Sequence, residues 1–497
     1  MAHATLIAFP IMLPLLGAPL AIFLRRWRRW QAFFALAVST LTLLASLWVA
    51  WTVRITHQGL VYQMGSWPAP FGISLIADPV SVFFLLMVQI VMWTGFLYSI
   101  GSKEYSASYP TYYPFFLMLL ASLNGAFLTG DLFNLFVFAE LVVISGTALT
   151  AISDDRYGVE AAYKYYYISL LASVALLLAV GSLYVAYGTL NMADLARRIS
   201  ESPSNPYASL AMIFLMAAFM VKGAVIPFHF WQPDFHTAAP TPVSAMLSSI
   251  VVKLGVYGFL RMTTLLFQDA QALGIMRGVL IGAGIAGVIL GGLAAIGTYN
   301  AKRMLAYSTL AQVGFILVGL GWGTEMSLAA ALIFSFNHSL IKSAMLMLAG
   351  YLSSRAPVKG ASFANLTGLG KQLPLAGVLF FLGSLALAGL PPLNGFISKF
   401  WLFKSGVEAE QMWILVLIGF SGLLTLIYTL RAFQKIWWFA DAEERKVKKG
   451  DSLLAPAILI GLCILFGLWP ERLIELAHAA AGWMLDPALY VAALLGG

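Results

Sequence analysis

The chain has 497 residues, 61% of them hydrophobic, with 29 Lys and Arg against 21 Asp and Glu, whereas soluble domains carry charge on roughly 25% of their residues. That balance excludes a large soluble domain. No long polar tract exists to form a nucleic-acid module, and the net charge of +8 is the basic excess expected of cytoplasmic loops in a membrane protein. Cys463, the one cysteine, lies in an apolar run, so a disulfide framework is excluded as well.

Apolar runs follow in chain order at 4–24, 30–53, 77–99, 112–129, 131–151, 161–188, 207–226, 241–267, 273–297, 304–321, 327–351, 373–403, 411–437 and 453–470. A spanning helix takes about 20 apolar residues, so these runs use most of the chain. Inside hydrocarbon every backbone N–H and C=O must find a partner within its own segment, and barrel strands would alternate polar and apolar residues over about ten positions. The predicted fold is therefore an all-α polytopic membrane protein with about 14 transmembrane helices. The first run does not read as a cleaved signal, because Arg25, Arg26, Arg28 and Arg29 follow it rather than precede it.

Assigning alternate loops to opposite sides separates the basic residues. One side receives Arg25, Arg26, Arg28, Arg29, Lys103, Arg156, Lys302, Arg303, Arg355, Lys359, Lys371, Arg445, Lys446, Lys448 and Lys449. The other receives chiefly Arg54, Arg197, Arg198, Arg277 and Arg472. This predicts a multi-pass protein of the cell's inner (plasma) membrane with the first set in the cytoplasm and both termini outside. The stretch 189–206 divides the membrane part into halves, 439–452 reads as a solvated cytoplasmic loop, and 471–490 as an interfacial helix or tail.

Ionisable residues inside the runs are the informative ones, since a charge at the bilayer centre costs about 2.5–3.5 kcal/mol even on the gentlest scale. Glu140 lies in the fifth run, Lys222 deep in the seventh, Lys253 centrally in the eighth, His338 and Lys342 in the eleventh, and Lys399 in the twelfth. Lys164, Lys404 and Lys435 are near enough to helix ends to snorkel to the headgroups. Lys222, Lys253 and Lys342 are too deep for that and call for a hydrated interior. Glu140 either neutralises a structural lysine or switches with it. His338 and Lys342 are four residues apart, which puts them on one helix face beside Asn337, where a proton could pass between them.

Signals for other chemistries are missing. There is no Cys-x-x-Cys, no phosphate-binding Gly-x-x-x-x-Gly-Lys and no dinucleotide Gly motif, and His229 and His236 flank Pro233 at a spacing poorly suited to zinc or haem. No cofactor and no metal site are expected.

Two runs should break. The seventh contains Lys222-Gly223-Ala224-Val225-Ile226-Pro227 and the twelfth Gly389-Leu390-Pro391-Pro392-Leu393-Asn394-Gly395, and proline removes a backbone donor while clashing with the preceding turn. Interrupted helices at matching places in two halves mark inverted-repeat transporters. The expected division is 1–110 for helices one to three, 111–267 and 268–437 for two inverted five-helix repeats (helices four to eight and nine to thirteen, broken at seven and twelve), and 438–497 for the remainder. Lys222 then matches Lys399, while the tenth helix lacks a counterpart of Glu140.

On these residues the chain resembles the proton-pumping antiporter-like family shared by respiratory complex I, membrane-bound hydrogenases and Mrp-type Na+/H+ antiporters. The resemblance covers nearly the whole chain and rests on the Glu140 helix, Lys222 with Pro227 to Trp231, the segment Thr237 to Ser244, Lys302 to Ser308, Asn337-His338, and Gly389 to Phe396. Within the family, Phe127 to Val137 and Gly188 to Met192 look most like the Mrp D-type subunits.

The resemblance implies a proton-translocating subunit of a multisubunit cation/proton antiporter. Glu140 with Lys222 would be the input switch, Lys253 and His338 the central relay with Lys342 a further proton-transfer residue, and Lys399 the exit or entry group on the far side. His229, Ser249 and Asn337, with Pro227, Pro391 and Pro392, would support that route. The implied partners are other subunits of a membrane complex, the lipid bilayer, H+ and, through the complex, Na+. Two readings stand beside it. One is a pumping subunit of a complex I-type oxidoreductase or a hydrogenase, without a redox centre of its own; the other is a scaffold whose buried charges serve only helix packing.

Overall fold

The computed structural model describes residues 5–153, 155–358, 360–438 and 447–496. Lys359, Arg445, Lys446 and most of the loop at 439–452 lie outside the described residues. Helices occupy all fourteen apolar runs, and many of their starts follow one rule: an Asp, Asn or Thr side chain accepts from an otherwise orphaned backbone N–H of the first turn. Asp78 caps Pro79–Gly101, Asp131 caps Leu132–Ala151, Asp155 caps Arg156–Tyr187 and Asn300 caps Ala301–Trp322. A capping box at Thr324 and Ser327 opens Glu325–Arg355.

Among the described residues, ten helices are long and apolar enough to cross a membrane: Leu6–Phe23, Arg28–Thr56, Pro79–Gly101, Leu132–Ala151, Arg156–Tyr187, Thr241–Leu266, Ala270–Gly297, Ala301–Trp322, Glu325–Arg355 and Met412–Trp438. Tyr112–Leu128, Pro206–Lys222 and Pro374–Ala388 are shorter apolar helices, and Leu454–Leu468 joins Glu471–Leu485 across a bend of 78°. The chain is thus a mostly helical, multi-pass membrane protein.

Burial sorts these helices into an axis and a periphery. Thr241–Leu266 and Glu325–Arg355 are buried throughout their apolar windows. Arg156–Tyr187 and Ala270–Gly297 bury one stripe and turn Leu171, Val174, Leu178, Leu290 and Leu293 outward, the surface a lipid-facing helix presents. The fully buried helices are also those with Lys253, His338 and Lys342, so the titratable groups lie on the axis and away from acyl chains.

Two expectations need correction, and one stretch gains structure. The fold is not purely α: Leu60–Gln63 and Ser74–Ala77 pair antiparallel between the second and third apolar runs, Leu60 opposite Ala77 and Gln63 opposite Ser74. The stretch 189–206, which divides the membrane part, folds into the helix Met192–Glu201, in which buried Asp194 binds Arg197 at 2.7 Å and Arg198 at 3.0 Å. Lys302 is not a solvated loop residue: it is buried, and its ammonium donates to the Ala239 carbonyl at 3.3 Å.

Candidate functional site

The site is built around two helix interruptions. Pro206–Lys222 ends at Gly223, whose N–H returns to Phe219; Ala224 adopts a left-handed conformation (φ 51°), and helix resumes at Trp231. Pro374–Ala388 ends at Gly389, which takes φ 86° without a Cβ penalty, and the N–H of Leu390 closes back on the Leu385 carbonyl before helix resumes at Asn394. The axial helix packs close at the first break: a Cβ on Gly255 would lie 2.5 Å from the Gly223 nitrogen.

Each break holds a buried ammonium at the C-terminal, negative end of a half-helix, where the macrodipole favours a cation. Lys222 is itself the last residue of the first half-helix, and its Nζ lies 3.2 Å from Glu140 Oε1. Lys399 comes from the second half-helix of its pair and reaches back, donating to the Ala388 carbonyl at 2.6 Å with its Nζ 5.6 Å from the Phe315 ring centroid. The two lysines stand on opposite sides of their breaks in sequence, yet the fold gives their charges similar surroundings. Glu140 also accepts from the Ser173 hydroxyl. Among the described residues no carboxylate pairs with Lys399.

Between the breaks lies the axial cluster. Lys253 Nζ and His338 Nδ1 are 2.5 Å apart, both buried. Lys342 does not bond to His338 directly; it donates to the Leu305 carbonyl and the Ser308 hydroxyl, both at 2.9 Å, and Ser308 accepts from Tyr428 at 2.8 Å. Ser249 ties the axial helices together, accepting from Ser339 on its carbonyl and from Ser343 on its hydroxyl. Asn337 donates to the Asn394 carbonyl at 3.1 Å and accepts from the Asn394 amide, so it holds the restart of the second broken helix. His338 and Lys399 both line a cavity of about 10 Å³, together with Gln312, Ser398 and apolar residues that include Phe334, Ile341 and Leu387. His338 Nε2 and Gln312 Nε2 have no hydrogen-bond partner among the described residues. A space of this size between such groups suits one bridging water.

The structure therefore joins Glu140 with Lys222 and Lys253 with His338, places Lys342 on the same axis, and brings His338 and Lys399 to the lining of one water-sized cavity. His229 does not join them: it lies on the partly exposed linker after Pro227 and makes no hydrogen bond to any buried lysine among the described residues. Pro227, Pro391 and Pro392 lie within the two breaks. Among the described residues no three His, Cys, Asp or Glu side chains come together as a metal-binding group.

Sequence reasoning missed a buried ion pair outside this cluster. Arg261 grips Asp78 through two bonds, at 2.7 and 2.9 Å, while its Nε donates to Tyr257 at 3.0 Å. The signal was an arginine inside the apolar run 241–267. The pair locks the axial helix to the start of Pro79–Gly101.

Comparison with known proteins gives a consistent picture. A family described as NADH:quinone oxidoreductase/Mrp antiporter, TM, matches residues 129–425. The D-type subunit of the Na(+)/H(+) antiporter of Bacillus subtilis is 34% identical over 492 residues, 98% of this chain and 99% of that protein. Among solved structures, a chain of the archaeal membrane-bound sulfane sulfur reductase, a respiratory membrane complex, superposes with a TM-score of 0.92 at 30% identity over 98% of this chain and 99% of its own. A chain of the Mrp complex from Dietzia sp. DQ12-45-1b does so with a TM-score of 0.90 at 25% identity, covering both chains fully.

Proposed function

The chain belongs to the NADH:quinone oxidoreductase/Mrp antiporter transmembrane family, and from that premise we propose that it is the D-type, proton-translocating subunit of a multisubunit Mrp-type Na+/H+ antiporter. It moves H+ between Glu140–Lys222 at one break and Lys399 at the other, through Lys253, His338 and Lys342. The observation that carries this reading is the Lys222–Glu140 pair, 3.2 Å apart at the end of an interrupted helix. Such a pair switches the neighbouring relay by opening and closing, because the ammonium is held by one carboxylate and one helix end. The near contact of Lys253 with His338 and the cavity that His338 and Lys399 both line supply the next two links.

The architecture proposed with it has fourteen spans, made up of the ten long helices, the three shorter apolar helices and the bent pair. Two inverted repeats occupy 111–267 and 268–437, supported by the shared position of the two buried ammonium groups at half-helix ends. Residues 1–110 and 438–497 flank them. The basic residues of one set of loops put that side in the cytoplasm and both termini outside the plasma membrane. A pumping subunit of a respiratory complex is the second reading, favoured by the likeness to the sulfane sulfur reductase chain. The subunits that co-purify with the chain in mild detergent distinguish the two.

The test of transport is Lys222→Ala in the assembled complex, assayed by Na+-dependent pH change in inside-out vesicles. Transport is lost while assembly persists. Full activity in that variant would refute the relay.

A further inference from the structure

Away from the relay, two connections on the side assigned to the cytoplasm meet around a surface cavity of about 650 Å³, within the range of roughly 300–1,000 Å³ that small-molecule sites occupy. One wall is the start of the helix Arg28–Thr56, which opens at Trp27 with no side-chain cap and no acidic residue in its first turn. The positive end of that helix dipole is therefore uncompensated by the chain. Buried Gln31 fixes its place, donating to the Ala21 carbonyl at 2.9 Å and the Pro110 carbonyl at 2.8 Å. The other wall is the connection 99–113. It is pinned at Lys103, whose backbone N–H donates to Asp451 at 2.6 Å, and at Glu104, whose carboxylate accepts from the Thr241 N–H at 2.9 Å and hydroxyl at 2.6 Å.

Arg28, Arg29 and Lys103 line this cavity, and among the described residues no carboxylate forms an ion pair with any of the three. Glu104 is the one acidic residue of the lining, and Thr241 engages both of its oxygens. Three free cations around one concavity make a field that draws an anion. The membrane side of the cavity is apolar. Ala32 and Phe33 lie one turn below Arg28 and Arg29 on the same helix faces and form that side with Ile100. Below Phe33 the exposed residues Leu41, Leu44, Trp48 and Trp51 continue an outward stripe at helical spacing. Trp27 and Trp30 flank the two arginines and are exposed, the aromatic placement of a headgroup boundary.

We propose that this cavity is a binding site for one anionic phospholipid of the surrounding membrane. Its phosphate sits among Arg28, Arg29 and Lys103 at the uncapped helix start, where guanidinium groups hold phosphate oxygens in pairs, and an acyl chain runs along Phe33 and the stripe beneath it. Basic pockets between membrane helices on the cytoplasmic side suit such headgroups. A free phosphate would leave the apolar wall of Ala32, Phe33 and Ile100 uncovered. A zwitterionic headgroup would bring an ammonium up to three unpaired cations. The site needs only that the chain lie in a membrane; neither Glu140, Lys222 nor Lys399 takes part in it, so it stands or falls apart from the proposed transport route.

The test uses the assembled complex in mild detergent and a phosphatidylglycerol whose acyl chain carries a photoactivatable group, with adducts mapped by peptide mass spectrometry. Adducts are expected on the peptides that hold Phe33 and Ile100, displaced by unlabelled phosphatidylglycerol and not by phosphatidylcholine. In the triple variant Arg28→Gln, Arg29→Gln, Lys103→Gln the concentration for half-maximal labelling should rise about 10²-fold, roughly fivefold for each cation removed. Arg25→Gln with Arg26→Gln removes charge from the same belt but outside the cavity, and should change it far less. Parental labelling of the triple variant, equal displacement by phosphatidylcholine, or an equal loss in the Arg25, Arg26 variant overturns the site. Displacement by glycerol 3-phosphate as effective as by phosphatidylglycerol overturns the lipid as its occupant. Should the triple variant fail to assemble, Lys103→Glu at an exposed position decides the matter: lost labelling supports the site and unchanged labelling refutes it. Lys222→Ala should label as the parent does, whatever it does to transport.

Discussion

Replacing Glu140 by Gln removes one charge from the first link of the proposed relay and almost nothing from its volume. At 3.2 Å and an effective dielectric constant of about 20, the lost attraction to the Lys222 ammonium is about 5 kcal/mol. The Lys222 side chain is 4% exposed and that of Glu140 26%, so water screens part of the pair, and the loss should fall at the lower end of the roughly 3–5 kcal/mol seen when one partner of a buried pair is removed. About 3 kcal/mol corresponds to roughly a 10²-fold change in the population of the charged, paired state. Na+-dependent H+ movement in inside-out vesicles should fall by that order, while native gels show the complex assembled in normal amount. Ser173→Ala removes only a hydroxyl donor to Glu140 and should slow transport far less. A Glu140→Gln complex that assembles and transports at more than half the parental rate would show that the pair is a structural clamp.

Further outcomes follow from the packing. Lys399→Ala should stop transport to a similar degree while leaving the Glu140–Lys222 pair intact, measured in the same vesicles, since the cavity that His338 lines would then hold no lysine acceptor. Asp78→Ala leaves the buried Arg261 guanidinium unpaired and should cost about 3–5 kcal/mol, read as a lower temperature of inactivation for the detergent-purified complex; adding Arg261→Met should recover part of that loss. Gly255→Ala forces a methyl to within 2.5 Å of the Gly223 nitrogen, an overpacking worth about 1–3 kcal/mol, and thermal melting should fall accordingly.

Much of this was legible in the sequence because lipid permits so few solutions. Twenty apolar residues in a row must be a helix, and a lysine in the middle of one must find water or a partner. Lys222, Lys253, His338, Lys342 and Lys399 could thus be named before any coordinates, and so could both interruptions, since Pro227 and Pro391-Pro392 cannot continue a helix. Asp78 and Arg261 were missed. They lie 183 residues apart, and nothing local to either says that the other is its partner.

Composition and spacing therefore determined the solvent this chain folds in, its helical class, where its helices break and which charges lie inside them, because each of these follows from the cost of exposing a polar group to hydrocarbon along a single segment. Partnership was decided only by tertiary structure. Whether Lys222 meets Glu140, whether Lys253 meets His338 rather than Lys342, and how Lys399 reaches back to the Ala388 carbonyl all depend on how separate helices cross, and those crossings are set by close approaches such as Gly255 against Gly223 that no one segment contains.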